Sequence, residues 1–137
     1  MAPLPQRPMH EGLPFAVELT ADGSPRLRRA RVTQCALSRI CGVCAGSLGR
    51  PIAFLGDGEA VRSNVFVLPP MHLECAEQLV ADHGDAWEML GQDGPVHQWE
   101  IVTTGGFEHH RAGKGDADNR PRLSPNAVIG RMPVLHR

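Results

Sequence analysis

The chain has 137 residues, 42% of them hydrophobic, only 4% aromatic and none Tyr. This fits one domain with a modest aliphatic core and excludes a compositionally disordered chain. The net charge of −1 hides a division: +4 over residues 1–50, −8 over residues 51–100 and +3 over residues 101–137. That balance argues against a chain-wide polybasic nucleic-acid binder; it favours basic ends packed against an acidic middle over two separate basic surfaces.

Residues 1–14 carry Pro3, Pro5, Pro8 and Pro14 and no apolar h-region. They read as a flexible arm, not a secretory leader. Residues 15–20 alternate weakly, as a short strand would, and residues 21–25 spell a turn, Ala-Asp-Gly-Ser-Pro. Residues 27–40 fit neither the helical nor the strand period, so both remain open. Arg26, Arg28, Arg29 and Arg31 make this stretch the candidate nucleic-acid contact. Against that stands a solvated face paired with the acidic middle, since no aromatic residue is interleaved to stack on bases.

Small residues after Cys41 and Cys44 (Gly46, Gly49) suit a knuckle whose backbone amides turn back toward the thiolates. Residues 51–55 and 64–68 are apolar runs around Gly56-Asp57-Gly58-Glu59, which predicts a β-hairpin. Pro69-Pro70 ends its second strand. Residues 71–82 predict a helix, with His72, Cys75, Ala76, Leu79, Val80 and His83 on one face. Glu74 and Glu77 lie near its positive end, and Gly84 stops it. Residues 85–90 are expected to add one or two turns, with Trp87 and Leu90 inward. Residues 96–104 alternate as a strand with Trp99, Ile101 and Thr103 on one side. Residues 107–122 read as a polar loop, and residues 128–129 as a last short strand. The expected organisation is a 1–14 arm, a 15–104 domain and a 105–137 polar loop and C-terminal extension.

The chemistry lies in Cys41-x2-Cys44, followed after 27 residues by His72-x2-Cys75. Paired thiolates and an imidazole at this spacing form the set that closes a tetrahedral structural zinc site. The sequence therefore predicts one Zn2+ per chain on Cys41, Cys44, His72 and Cys75. Knuckle, β-hairpin and helix in that order make the expected fold an α+β treble-clef zinc-finger-like domain with extra C-terminal strands and irregular tails. Four ligands leave no position for an activated water, so the ion would be structural and not catalytic. Cys35 lies outside the motif, as a buried small hydrophobe or as a substitute for one of the four. Three of four cysteines in a metal set argue for a reducing, cytoplasmic setting. No run approaches the ~18 apolar residues of a membrane span.

Residues 39–50, Arg-Ile-Cys-Gly-Val-Cys-Ala-Gly-Ser-Leu-Gly-Arg, together with residues 69–76, Pro-Pro-Met-His-Leu-Glu-Cys-Ala, resemble a set of small uncharacterised proteins of actinobacteria and their phages. Those proteins look like single treble-clef domains with a tryptophan-bearing strand after the helix, similar to residues 99–103 here. The resemblance covers residues 39–104 and implies the zinc site, with no activity attached. Members often carry a Cys-Pro pair after the helix, where this chain has Asp82-His83-Gly84. More distantly, His109-His110, Asn126 and His136 resemble the His…Asn…His order of HNH nucleases. That order would imply a water-activating His, an orienting Asn and a metal-holding His. The gaps here run longer than in that pattern, and no zinc knuckle brackets the final His. The expected function is a non-enzymatic zinc-stapled binding or adaptor module, with a protein partner favoured over nucleic acid. The alternatives are an HNH-like metal-dependent nuclease and a DNA-binding protein.

Overall fold

β4 (Trp99–Thr104) forms the middle of the molecule in a computed structural model that describes residues 12–112 and 118–134. It pairs antiparallel with β3 (Ile52–Gly56) on one side and with β7 (Val128–Val134) on the other, giving a three-stranded sheet of order β3-β4-β7. Phe54 faces Val102 and Leu55 faces Ile101 across the first pair; Met132 faces Ile101 across the second. The other elements are β1 (Val17–Leu19), β2 (Pro25–Leu27), α1 (Arg29–Ser38), α2 (Gly58–Ser63), α3 (Leu73–His83), β5 (Phe107–His110) and β6 (Arg122–Pro125).

Both faces of β4 are covered, so its alternating pattern divides two half-cores. One face sends Trp99 and Ile101 against Leu55, Met71, Leu90 and the α3 stripe of Ala76, Leu79 and Val80. The buried Trp99 indole donates to the Gly84 carbonyl at 3.0 Å, which satisfies its one polar atom and fixes the end of α3 over the sheet. The opposite face sends Val102 with Ile52 and Phe54 against Phe66, Leu123 and, from α1, Val32 and Ala36. The Phe107 ring meets Phe54 edge-on, with centroids 5.3 Å apart. Within residues 27–40, Arg29–Ser38 thus resolve as a helix, because Val32, Cys35 and Ala36 form an i, i+3, i+4 stripe that burial rewards.

The hairpin expected from residues 51–55 and 64–68 is replaced by another arrangement. The Asp57 carboxylate accepts the Ala60 amide at 2.9 Å, so Gly56-Asp57-Gly58-Glu59 is the capped start of α2 and not a turn. The return segment is no continuous strand. Phe66 exchanges both backbone bonds with Leu123, at 2.8 and 2.9 Å, and Met71 exchanges both with Ala53, at 2.8 and 3.0 Å. Between them, Pro69 and Pro70 supply no amide donors.

Residues 85–90 form turns, with Leu90 buried and Trp87 half-buried. Two further expectations change. The polar stretch after Gly106 supplies β5 and β6, an antiparallel pair, and the last strand has seven residues in place of two. The extension is therefore part of the core: Leu123 is fully buried and β7 is the third strand of the sheet. At the other end, Pro14 is buried, Leu13 packs on the core and the Gly12 carbonyl accepts from His83 at 2.8 Å; residues 1–11 of the expected arm lie outside the described residues. Among the described residues, the charge division becomes a pairing of end with middle at one ion pair. Arg28 and Arg31 both reach Glu18 in the N-terminal third, at 2.8 and 2.6 Å. Among the described residues, Arg120–Asp93 at 3.3 Å is the ion pair that joins the last third to the acidic middle.

Candidate metal centre

The knuckle is built from backbone. Ile40 bridges Ser47, the Cys41 amide donates to the Gly46 carbonyl at 2.8 Å, and the Ala45 amide returns to the Cys41 carbonyl at 2.9 Å. This closure requires Ala45 to take a left-handed conformation, φ 63°. It also aims amides at the sulfurs: Val43 N–H lies 3.3 Å from Cys41 Sγ, and Gly46 N–H lies 3.4 Å from Cys44 Sγ. The second ligand pair comes from α3. His72 is its N-cap residue in extended conformation, and its carbonyl accepts the Ala76 amide at 2.9 Å. Cys75, three residues on, therefore lies in the first turn on the side of His72.

The knuckle and the helix start are held together by Gly42. Its amide donates to the Pro70 carbonyl at 2.9 Å, and a Cβ at this position would stand 2.1 Å from Pro69 Cγ. The His72 amide adds a second N–H on Cys41 Sγ, at 3.4 Å. As a result Cys41 Sγ, Cys44 Sγ, Cys75 Sγ and one ring nitrogen of His72 lie within 4.8 Å of one another. His72 Nδ1 is 3.4 Å from Cys44 Sγ and 3.7 Å from Cys75 Sγ. The other nitrogen, Nε2, is 2.8 Å from the Ser47 carbonyl oxygen. A carbonyl only accepts, so Nε2 carries the proton and the Nδ1 lone pair faces the thiols. That is the arrangement of a metal-ligating histidine.

The electrostatics agree. The Cys41 thiol is pulled down to about 5, first by a hydrogen bond from the Cys75 thiol and then by the backbone amides around it. Cys75 is pushed up, because it holds its proton for Cys41 and is partly buried. Cys44 is pushed up chiefly by burial. Several thiols crowded together cannot all ionise without a cation, and a bound metal takes the place of their protons. Cys41, Cys44, His72 and Cys75 thus form a site that can hold a metal ion. No protein-family model, curated protein or solved structure matches the chain.

Among the described residues, the remaining candidates do not converge. Cys35 is fully buried outside the cluster, and burial raises its thiol to about 12, so it behaves as a small hydrophobe. His109 and His110 are consecutive in β5 and so point to opposite faces. His109 Nε2 is buried with no hydrogen-bond partner among the described residues, whereas His110 Nε2 lies 3.2 Å from the Ser124 hydroxyl. Asn126 is exposed at the turn between β6 and β7, its amide donating to Gly106 at 3.0 Å. His136 lies outside the described residues. Sequence reasoning missed the Ser47 carbonyl, and no side-chain signal marks it, because any residue offers one. Of the four arginines, Arg28 and Arg31 are engaged by Glu18, and Arg31 also lies over the Phe15 ring at 4.7 Å. Arg26 and Arg29 form no ion pair among the described residues. No helix among the described residues is long and apolar enough to cross a membrane.

Proposed function

We propose that the protein is a non-enzymatic binding or adaptor module whose fold is stapled by one structural Zn2+. The observation that carries this reading is the ligand set: three thiols and a correctly protonated imidazole within 4.8 Å of one another. Borderline-soft Zn2+ suits such donors, and a four-ligand tetrahedral set leaves no coordination position for water or substrate. Cys41 and Cys44 would hold the ion from the knuckle, and His72 and Cys75 from the helix start. Knuckle before helix, with Ala53–Met71 as the remnant of the hairpin, makes the site a variant of the treble clef. This reading sets the chain beside the small actinobacterial and phage proteins that residues 39–50 and 69–76 resemble, with a cytoplasmic setting.

The partner favoured is another protein. Two of the four arginines offered to nucleic acid are engaged by Glu18, and no aromatic residue stands among them. The nuclease reading needs one of His109 and His110 together with Asn126 and His136, and His136 lies outside the described residues.

Cobalt substitution tests the closed site. Co2+ bound by three thiolates and an imidazole is expected to give a tetrahedral spectrum that excess azide leaves unchanged. A spectrum that shifts with azide would expose an open position and overturn the structural assignment. The adaptor role is tested by reconstituting a partner, purified from source cells, with wild type and with unfolded Cys44→Ser. Magnesium- or manganese-dependent nicking of plasmid by wild type, abolished in His110→Ala, would replace it with the nuclease.

A further inference from the structure

The arginines that Glu18 leaves free share a cleft. Arg26 of β2 and Arg29 of α1 line a recess of about 120 Å3, walled by Leu27, Val32 and Val67. Both side chains are exposed; among the described residues Arg26 bonds to the neighbouring Pro25 carbonyl, at 2.9 Å, and its charge also reaches the exposed Asp22 carboxylate. The first turn of α1 holds no acidic residue to offset them. A third guanidinium, Arg120, also reaches the recess but is already compensated. Asp118 grips it through two oxygens at 2.9 and 2.6 Å, and the Gly91 carbonyl accepts from it at 2.7 Å. Glu88 borders the same recess, exposed, and pairs with none of the three.

We propose that this cleft binds a phosphate monoester, its dianion between Arg26 and Arg29 and its apolar body against Leu27 and Val67. Guanidinium forks match phosphate oxygens in pairs, and two forks without an ion pair among the described residues answer a charge of about −2, that of a monoester near neutral pH. A phosphodiester of a nucleic-acid chain, or a single carboxylate, brings one charge and leaves one guanidinium unanswered. The locked Arg120 supplies a preformed wall, so little has to be ordered on binding. The monoester comes either from a free small molecule or from a phosphorylated side chain. The site lies outside the metal cluster and stands or falls separately from the zinc reading.

The full chain is titrated with phenyl phosphate, with methyl phenyl phosphate, and with a serine peptide in phosphorylated and unphosphorylated form, followed by amide NMR shifts. Phenyl phosphate is expected to saturate, at least tenfold more tightly than the diester. Its affinity should fall at least tenfold in Arg26→Gln and in Arg29→Gln and stay unchanged in Arg28→Gln. Unaltered amide spectra away from the cleft and wild-type metal content show that these exposed variants fold. A phosphopeptide that binds more tightly than phenyl phosphate supports the site and assigns a phosphoprotein source; a weaker one supports it and assigns a small molecule. No saturation by phenyl phosphate, equal binding of the diester, or full affinity in both arginine variants would overturn the proposal.

Discussion

The ring of His72 joins the two halves of the candidate metal centre, with Nδ1 among the thiols and Nε2 on the Ser47 carbonyl 2.8 Å away. A residue of the helix start is thereby oriented by the backbone of the knuckle. Because the acceptor is backbone, Ser47→Ala should leave metal affinity unchanged. His72→Ala removes a ligand as well as its orienting bond. Loss of an orienting partner alone costs about 10–100-fold in affinity, so His72→Ala should exceed the upper end of that range. Competition against a chromophoric chelator measures both.

The staple itself is expected to be part of the folding free energy, since ligands gathered from positions 31 residues apart have no site in the unfolded chain. Cys44→Ser and Cys75→Ser should therefore unfold the domain. Elemental analysis of wild type should return one zinc per chain, absent from Cys41→Ser/Cys44→Ser. If either single variant kept its full melting temperature in chelator, zinc would have no role in holding the fold.

Gly42 gives a test of packing that leaves every ligand in place. Its Cβ would stand 2.1 Å from Pro69 Cγ and 2.9 Å from Pro69 Cβ, so Gly42→Ala must push the knuckle away from the segment that leads into α3. Overpacking of this kind costs about 1–3 kcal/mol. Urea denaturation should show that loss, with metal affinity falling in the same variant. Gly49→Ala, where nothing lies within 4 Å, is the matched control and should be silent.

What the sequence revealed follows from the range of the signals. The ligand set and α3 depend on spacings within one turn of helix, and β4 on simple alternation, so all three were legible. Gly56-Asp57-Gly58-Glu59 was ambiguous because Asp before Gly-Glu serves a turn and a helix cap equally well. The side-chain bond to Ala60 decided for the cap. β7 was hidden by Gly130 and Pro133, which break a strand pattern, yet an edge strand tolerates Pro where its missing amide faces outward. The polar face of β5 and β6 disguised them as a loop. The pairing of Arg28 and Arg31 with Glu18 depends on the β1–β2 register, and nothing local encodes it.

Since the extension closes the sheet, its removal should be severe. Leu123 is fully buried among Phe54, Phe66 and Val102, and its backbone exchanges two hydrogen bonds with Phe66. Leu123→Ala is expected to cost about 2–5 kcal/mol. A chain ending at Thr104 would leave one edge of β4 and the second half-core open, and it should not fold even with zinc supplied. A sharp thermal transition in that truncated chain would show that residues 15–104 suffice.

His109 predicts a pH dependence of stability. Burial, with Arg111 and His110 nearby, lowers its pKa below the ordinary 6.5, and its Nε2 has no partner among the described residues. The unfolded chain therefore binds this proton more readily, so stability is full above about 6.5 and declines as pH falls through that value toward the lower folded pKa. His109→Leu removes the titrating group and the unsatisfied nitrogen together, a change that is nearly neutral or stabilising when shape is kept. In zinc-saturated buffer, the wild type minus variant difference in urea midpoint should widen in favour of the variant between pH 7.5 and 5.5. The common loss from protonation of the metal ligands cancels in that difference. A difference that stays constant across the range would mean that His109 keeps its ordinary titration in the folded protein.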